Sequence, residues 1–304
     1  MPDHEPVSLR QLQVLVSLVD HGSFTRAADH LGLRQSTVSG HLADLERRLG
    51  GRLLERSRSG VRTTPIGEAV LEPAREALRN ERGVRAAAAE VAGLVAGRLA
   101  VGGSTIPASY LIPEHIARFR GRHPEVSLQL RTGDSGEVVD WISSGQVDVG
   151  IVGRRTTAKG LHSEEVHGDE LVFICSPDHD LASAPPISTR RALAEPIVLR
   201  EPGSGTNAAM MEALDDGGHE QQLEVVMEVG STEAAKAAVR AGLGLSVVSL
   251  LAVRDELEAG SLARLEVSDF DVRRSFWLVT RDDAKLTPAA RAFRDLVMAA
   301  AEHT

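Results

Sequence analysis

Cysteine is almost absent: the 304 residues contain one, Cys175. A single thiol excludes an intrachain disulfide and any metal cluster built on several cysteines. Its setting, "LVFICSP", reads as a buried strand with an inert core thiol. Aromatic residues make up 3%, so aliphatic side chains and alanine must fill the cores, and a base-stacking platform for single strands is excluded. Lysine is equally scarce, three against 31 arginines. No apolar run approaches the ~20 residues that span a bilayer, and "MPDHEPVSLRQ" has no signal-peptide core. The expectation is a cytoplasmic protein with no membrane partner.

What is present is ordinary for a folded chain, 42% hydrophobic and 25% charged, at a length that suits two or three domains. The net charge of −9 argues against a uniformly basic coat, but it is unevenly spread. Residues 22–62 carry eight arginines against four acids. A basic head on an acidic body is sufficient for phosphate binding, which needs only one local positive face.

The head has a definite order. Ser8 to Gln11 is a capping-box pattern, and Leu9, Leu12, Leu15, Val16 and Val19 follow at helical spacing until "DHG". A short helix from about Ser23 to Leu31 and a turn at Gly32 and Leu33 lead into a third helix over about 35–49, whose apolar face is Val38, Leu42, Leu45 and Leu49. Ala28, Gly32 and Val38 meet the mechanical needs of a helix-turn-helix: a close crossing, a bend and an anchor. The opposite face carries Gln35, Ser36 and Ser39, with Thr37 and His41 nearby, at the helix end that meets base edges in a major groove. The competing reading is a three-helix bundle with a solvated polar face. Against it stands "LLERSRSGVRTTPIGE", which sets Arg56, Arg58 and Arg62 around a short hairpin able to reach phosphates or the minor groove.

Taken together, "SFTRAA", "QSTVS", "LE..LG..L..R" and "T..G" resemble the winged helix-turn-helix of LysR-type transcriptional regulators, and with the segments below the resemblance spans nearly the whole chain. It implies that Thr25, Gln35, Thr37, Ser39 and His41 face DNA, with Arg34, Arg56 and Arg58 near its backbone. Three positions depart from the family pattern. Arg34 stands at a common serine cap, Gly40 where a long side chain is usual, and Leu54 in place of phenylalanine.

Thr64 and Pro65 start another helix, reaching about residue 96. Val70, Ala74, Ala77, Val84 and Val91 form a coiled-coil-like seam along it, which in the family is the linker helix of a dimer. The alternative is a helix packed within its own chain. Pro73 is expected to bend it.

After Gly97 the period changes. Strand-like runs "LAVGG", "VSLQL", "VDVGIVG", "LVFICS", "PIVLR", "LEVVMEV", "LGLSVVS" and "FWLVT" alternate with helical stretches at 106–120, 135–144, 206–215, 231–241 and 288–301, an α/β pattern. The fold class expected overall is therefore α/β: an N-terminal winged helix-turn-helix (1–64), a linker and dimerisation helix (65–97) and a C-terminal two-lobed effector domain (98–304) like periplasmic binding proteins. Lobe one takes 98–167 plus 268–304, and lobe two takes 168–267. Several strands end in small polar residues at a helix start: Ser104 and Thr105, Gly133, Gly203 to Thr206 with Ser204, and Ser231 after Gly230. Each is a plain helix cap when taken alone; their recurrence in both halves points to a ligand cleft beyond the strand ends. "REPGSGT" resembles the cleft loop of the family subgroup that controls carbon fixation and sulfur assimilation, whose effectors are small anions. Asn207 here replaces a frequent arginine.

Enzyme signatures fail in context. "EPGSGTN" lacks the Lys-Ser/Thr ending of a P-loop, "GLGLSVV" precedes a strand, and no HExxH or GxSxG appears. "HSEEVHGDE" (162–170) is read as part of a lobe-crossing linker, and "PDHD" as a turn. The function expected is a promoter-binding regulator, not an enzyme, without cofactor or metal. A small anionic effector modulates it, and it acts as a homodimer or tetramer with RNA polymerase as a candidate partner. The alternatives are a ligand-independent architectural DNA-binding protein and a two-lobe solute-binding or catalytic protein.

Overall fold

The computed structural model describes residues 6–57, 60–91, 95, 97–218, 223–282 and 286–302. The chain divides into two compact units, Met1–Leu94 and Val95–Thr304.

In the first unit, α1 (Leu9–His21) begins in the reciprocal box expected of Ser8 and Gln11, with the Gln11 amide donating to Ser8 Oγ at 3.2 Å and the Ser8 amide to Gln11 Oε1 at 2.9 Å. α2 (Phe24–Leu31) ends on Gly32, whose φ of 63° turns the chain into α3 (Gln35–Leu49). Val14, Leu15 and Leu18 of α1, Ala27 and Ala28 of α2, and Val38, Leu42 and Leu45 of α3 share one core with Leu53, Leu54 and Ala74. Leu54 thus fills the place of the familiar phenylalanine from inside the core.

The bend after α3 is held by Glu46, which accepts the amides of Leu53 and Leu54 at 2.8 and 3.3 Å. An antiparallel hairpin follows, β1 (Leu54–Ser57) and β2 (Gly60–Thr63). It is stapled to the α1–α2 turn, because the Val61 amide donates to the Gly22 carbonyl at 3.1 Å. Gly60 adopts φ 121°, and a Cβ there would stand 2.5 Å from that same carbonyl oxygen, so only glycine fits. Thr64 caps α4 (Pro65–Val91) by accepting the Gly67 amide at 3.0 Å, and α4 continues through Pro73. Arg75 of α4 pairs with Asp20 of α1 at 2.6 Å.

The second unit is built on a seven-stranded sheet. Its path runs β10 (Ala263–Leu265), β6 (Leu161–Cys175), β11 (Val272–Arg281), β5 (Val149–Val152), β3 (Gly97–Ser104), β4 (Val126–Gly133), with β9 (Ser246–Ser249) also on β6. β4, β3 and β5 are parallel; β11 and β6 run antiparallel to their neighbours. β7 (Ile197–Arg200) and β8 (Val225–Val229) form a parallel pair, and an Ile197–Leu245 bridge sets β7 beside β9.

The longest strands, β6 and β11, cross between two sets of cores. At one end Phe119 of α5 (Ile112–Arg122) meets Phe293 of α11 (Pro288–Ala301) edge-on beneath Leu99, Val101 and Ile151, while α6 (Ser135–Ser143) covers the other face with Val138 and Ile142. At the other end Phe173 and Cys175 pack on Met210 and Leu214 of α8 (Gly205–Asp216), and Val172 and Ile174 pack on Val239 of α9 (Thr232–Arg240). Helices on both faces explain why "LVFIC" is continuously apolar. Shorter pieces are α7 (Thr189–Ala192), α10 (Arg254–Glu258), a π turn at Pro107–Leu111 and a 3₁₀ turn at Leu250–Ala252.

One expectation needs correction. "HSEEVHGDE" is no linker but lies within β6, paired with β11 across one bulge at Val166. Backbone pairing holds it, and its polar side chains find partners locally: Ser275 Oγ donates to Glu165 at 2.6 Å and Arg264 pairs with Glu170 at 2.6 Å.

Candidate nucleic-acid interface and effector cleft

The N-terminal turn of α3 presents Gln35, Ser36 and Thr37, all exposed, with Thr25 and Arg34 exposed beside them and Ser39 and His41 half-buried. None of these seven side chains has a hydrogen-bonding partner among the described residues, so their donors and acceptors are open. The buried face of the same helix, Val38, Leu42 and Leu45, is locked in the core, which fixes the orientation of the polar face. Arg34 is the N-cap residue, in extended backbone (φ −77°, ψ 145°) and without a side-chain capping bond. Arg62 is exposed on the hairpin. Arg58 and the side chain of Arg56 lie outside the described residues.

The expected dimer seam on α4 is only partly free. Ala74 is buried in the core of the head and Val70 packs against it, Ala77 is half-buried, and Val84 is 72% exposed. The side chain of Val91 lies outside the described residues. The first two positions are thus consumed within the chain, which shortens the available seam.

In the second unit Ser104 and Gly133 are register partners at the ends of β3 and β4. Ser104 is buried, Thr105 is half-buried, and neither hydroxyl has a partner among the described residues. Gly133 sits against Trp141 and Glu137, with no room for a Cβ. Ser204 and Ser231 cap α8 and α9, accepting the amides of Asn207 at 3.4 Å and Ala234 at 3.1 Å. A capping hydroxyl accepts from the backbone and keeps its own proton to donate. Gly203 is exposed at the same turn.

Three side chains that sequence reasoning missed organise these loops. Arg200 is buried, donates to both carboxylate oxygens of Glu201 at 2.7 and 2.8 Å and reaches Thr232 Oγ1 at 2.5 Å, tying the turn before α8 to the start of α9. Its hydrogen bonds hold the Glu201 carboxyl below the usual carboxylate range. Arg274 of β11 lies opposite Asp169 of β6, pairs with it at 2.8 Å and donates to Thr206 Oγ1 at 3.2 Å. Tyr110 donates to Glu233, joining the π turn of one lobe to α9 of the other. Burial, then that bond, pushes the Tyr110 hydroxyl up to about 12. None of the three has a periodic or motif signature; the nearest signal was "REPGSGT" itself, which begins with Arg200.

Burial pushes the Cys175 thiol up to about 11, the behaviour of a core group. Among the described residues no cluster of histidine, cysteine and acids is arranged to hold a metal ion, and no helix is long and apolar enough to cross a membrane.

A winged helix-turn-helix with an open polar reading face, joined in one chain to a two-lobed α/β unit, defines a ligand-responsive transcriptional regulator, not an enzyme. Residues 9–68 match the model described as bacterial regulatory helix-turn-helix protein, lysR family, and residues 92–302 match the LysR substrate binding domain. The chain belongs to the LysR family of bacterial transcriptional regulators. It is 37% identical over 296 residues to the RuBisCO operon transcriptional regulator of Allochromatium vinosum, covering 97% of each chain. A full-length OxyR variant from Pseudomonas aeruginosa shares its fold, with a TM-score of 0.72, 24% identity and coverage of 96% of this chain and 94% of that one. The regulatory domain of Synechocystis PCC6803 CcmR in complex with 2-PG matches 68% of this chain and 99% of its own, at 25% identity and a TM-score of 0.63. Members of the family bind promoter DNA, respond to small-molecule effectors and act as oligomers.

Proposed function

We propose that this regulator reads promoter DNA with Gln35, Ser36, Thr37, Ser39 and His41 in a major groove. Thr25 lies alongside, and Arg34, Arg56 and Arg58 contact the phosphate backbone. The observation that carries the reading is a helix whose Val38, Leu42 and Leu45 are buried in the core of the head, with Leu49 at its far end exposed, while the polar residues of its first turns have no partner within the described residues. Two copies, joined through the part of α4 that bears the exposed Val84, set two heads on a two-fold related operator. The working division is 1–64 for the head, 65–97 for the linker and 98–304 for the effector domain, in the cytoplasm.

The effector is a small anion held between Ser104, Thr105 and Gly133 on one lobe and Gly203, Ser204, Thr206 and Ser231 on the other. Free hydroxyls and helix N-termini favour negative charge there, and Arg200, paired with Glu201, holds the two loops in place. That a related regulatory domain carries 2-PG supports the class, and the relationship to a RuBisCO operon regulator supports genes of carbon fixation as targets.

The test is fluorescence anisotropy on DNA upstream of the protein's own gene and its divergent neighbour, with unrelated DNA as control, across a salt series and with or without 2-phosphoglycolate. Specific binding that shifts with the anion is expected. Equal, steeply salt-dependent binding to both DNAs, indifferent to the anion, would instead establish an architectural DNA-binding protein.

A further inference from the structure

Apart from the interlobe loops, the second unit holds a cavity of about 540 Å³ along its crossing strands, lined by His167, Asp169, Arg254, Arg273, Arg274 and Ser275, with Glu170, Leu250 and Leu251 completing the wall. Its volume lies in the range of small-molecule sites. None of the residues expected to bind effector lines it.

Its charges do not cancel locally. Asp169 is satisfied by Arg274 at 2.8 Å and by the Ser249 hydroxyl at 2.7 Å, and Glu170 by Arg264 at 2.6 Å. Arg273 pairs only with the exposed Asp271, at 2.9 Å, among the described residues. Arg254 has no hydrogen-bond or ion-pair partner among them. Burial, then Asp169 and Arg254 acting in opposite directions, leaves His167 with a pKa below its ordinary value, hence a neutral imidazole at the wall. A free guanidinium calls for a carboxylate or phosphate. The remaining lone pairs of Glu170, which is partly exposed, call for hydroxyl donors.

The cavity is also wired to the proposed effector loops. Arg274 forms its wall and at the same time donates to Thr206. The segment bearing Leu250, Leu251 and Arg254 is held by the buried Lys236, which donates to the Ala252 carbonyl and pairs with Glu256, both at 2.7 Å. The same ammonium pairs at 2.8 Å with Glu233, the acceptor of Tyr110 from the other lobe. We propose that this cavity is a second site, for a small hydroxylated organic anion such as a phosphorylated polyol. Its occupancy alters effector affinity through Arg274 and Lys236. The coupling, though not the site, rests on the effector reading above.

The experiment is isothermal titration calorimetry of the full-length protein with glycerol 3-phosphate, using wild type, Arg254→Ala and Ser104→Ala. Wild type is expected to bind. Arg254→Ala should weaken binding by about tenfold or more, the loss of one hydrogen bond to a charged group, while Ser104→Ala, altered in the proposed effector site, should keep the Arg254-dependent binding and lose only uptake between the lobes. Saturating 2-phosphoglycolate should then change the glycerol 3-phosphate Kd by the same factor as in the reverse titration. The site is overturned by a wild type that takes up no glycerol 3-phosphate, by an Arg254→Ala titration identical to wild type, or by binding lost in Ser104→Ala and kept in Arg254→Ala, which puts the ligand between the lobes. Arg254-dependent binding indifferent to 2-phosphoglycolate refutes the coupling alone. Failure of the effector reading is seen separately, as promoter affinity unmoved by 2-phosphoglycolate.

Discussion

Replacing Arg34 by serine should move stability and DNA affinity in opposite directions. Arg34 already has the extended backbone of an N-cap, and its carbonyl accepts the amides of Thr37 and Val38 at 2.9 and 3.1 Å, but its side chain caps nothing. Elsewhere Ser8, Ser188, Ser204, Ser231 and Thr287 cap their helices with side-chain oxygens. A serine hydroxyl at position 34 should supply the missing bond, worth about 0.5–2 kcal/mol. For a head of this size, each kcal/mol raises Tm by roughly 4–8 °C. The same change removes a cation at the proposed phosphate contact and should lower the log–log salt slope of DNA binding by about 0.9 per head. Both tryptophans, Trp141 and Trp277, lie in the second unit, so the head must be followed by calorimetry or far-UV circular dichroism, and the slope by anisotropy across a salt series. A lower melting temperature would refute the cap argument, and an unchanged slope would remove Arg34 from the phosphate contact.

Asp169→Asn should destabilise the second unit by about 3–5 kcal/mol, since it leaves the Arg274 guanidinium buried without its counter-charge. Urea unfolding followed by tryptophan fluorescence reads this unit directly, and a loss under about 1 kcal/mol contradicts the buried pairing. Gly40→Ala should stabilise the head by about 1 kcal/mol, because nothing stands within 4 Å of the Cβ it would add; a destabilised head would show that this face of α3 is not free. Burial, reinforced by Arg118 at His115, lowers the pKa of His115 and His167 from 6.5. The unfolded chain therefore takes up protons first on acidification. The second unit should hold its stability above about pH 6.5 and lose it progressively below, with a shallower loss in His115→Gln; a melting temperature that rises toward pH ~5.5 refutes the sign.

The head was legible because each of its elements is specified within a few residues. The Ser8–Gln11 box, the bend at Gly32 and the Thr64–Pro65 start lie where local rules put them, and the face of α3 follows from the spacing of Val38, Leu42 and Leu45. The strands of the second unit were legible as apolar runs. β10, α7 and α10 were not, being three to five residues long and without a clear period. The polar part of β6 was misread because its residues hide a strand that only β11 justifies.

The candidate site divides in the same way. Ser204 and Ser231 were found because a cap is a local pattern, and the exposed first turn of α3 was found because polar residues opposite an apolar stripe must face outward. Arg200, Arg274 and Tyr110 were not found, because each acquires its role from a partner distant in sequence or from burial that the fold creates. The sequence by itself determined the helix-turn-helix, the α/β alternation, the family and the chemistry available at the loop ends, all of which depend on short-range spacing and side-chain type. Only the tertiary structure decided that Val70 and Ala74 serve the head's own core, that Arg274 links Asp169 to Thr206, and that Arg254 stands beside a cavity without a partner among the described residues. Burial and charge pairing are properties of neighbours in space, and the chain order does not list those neighbours.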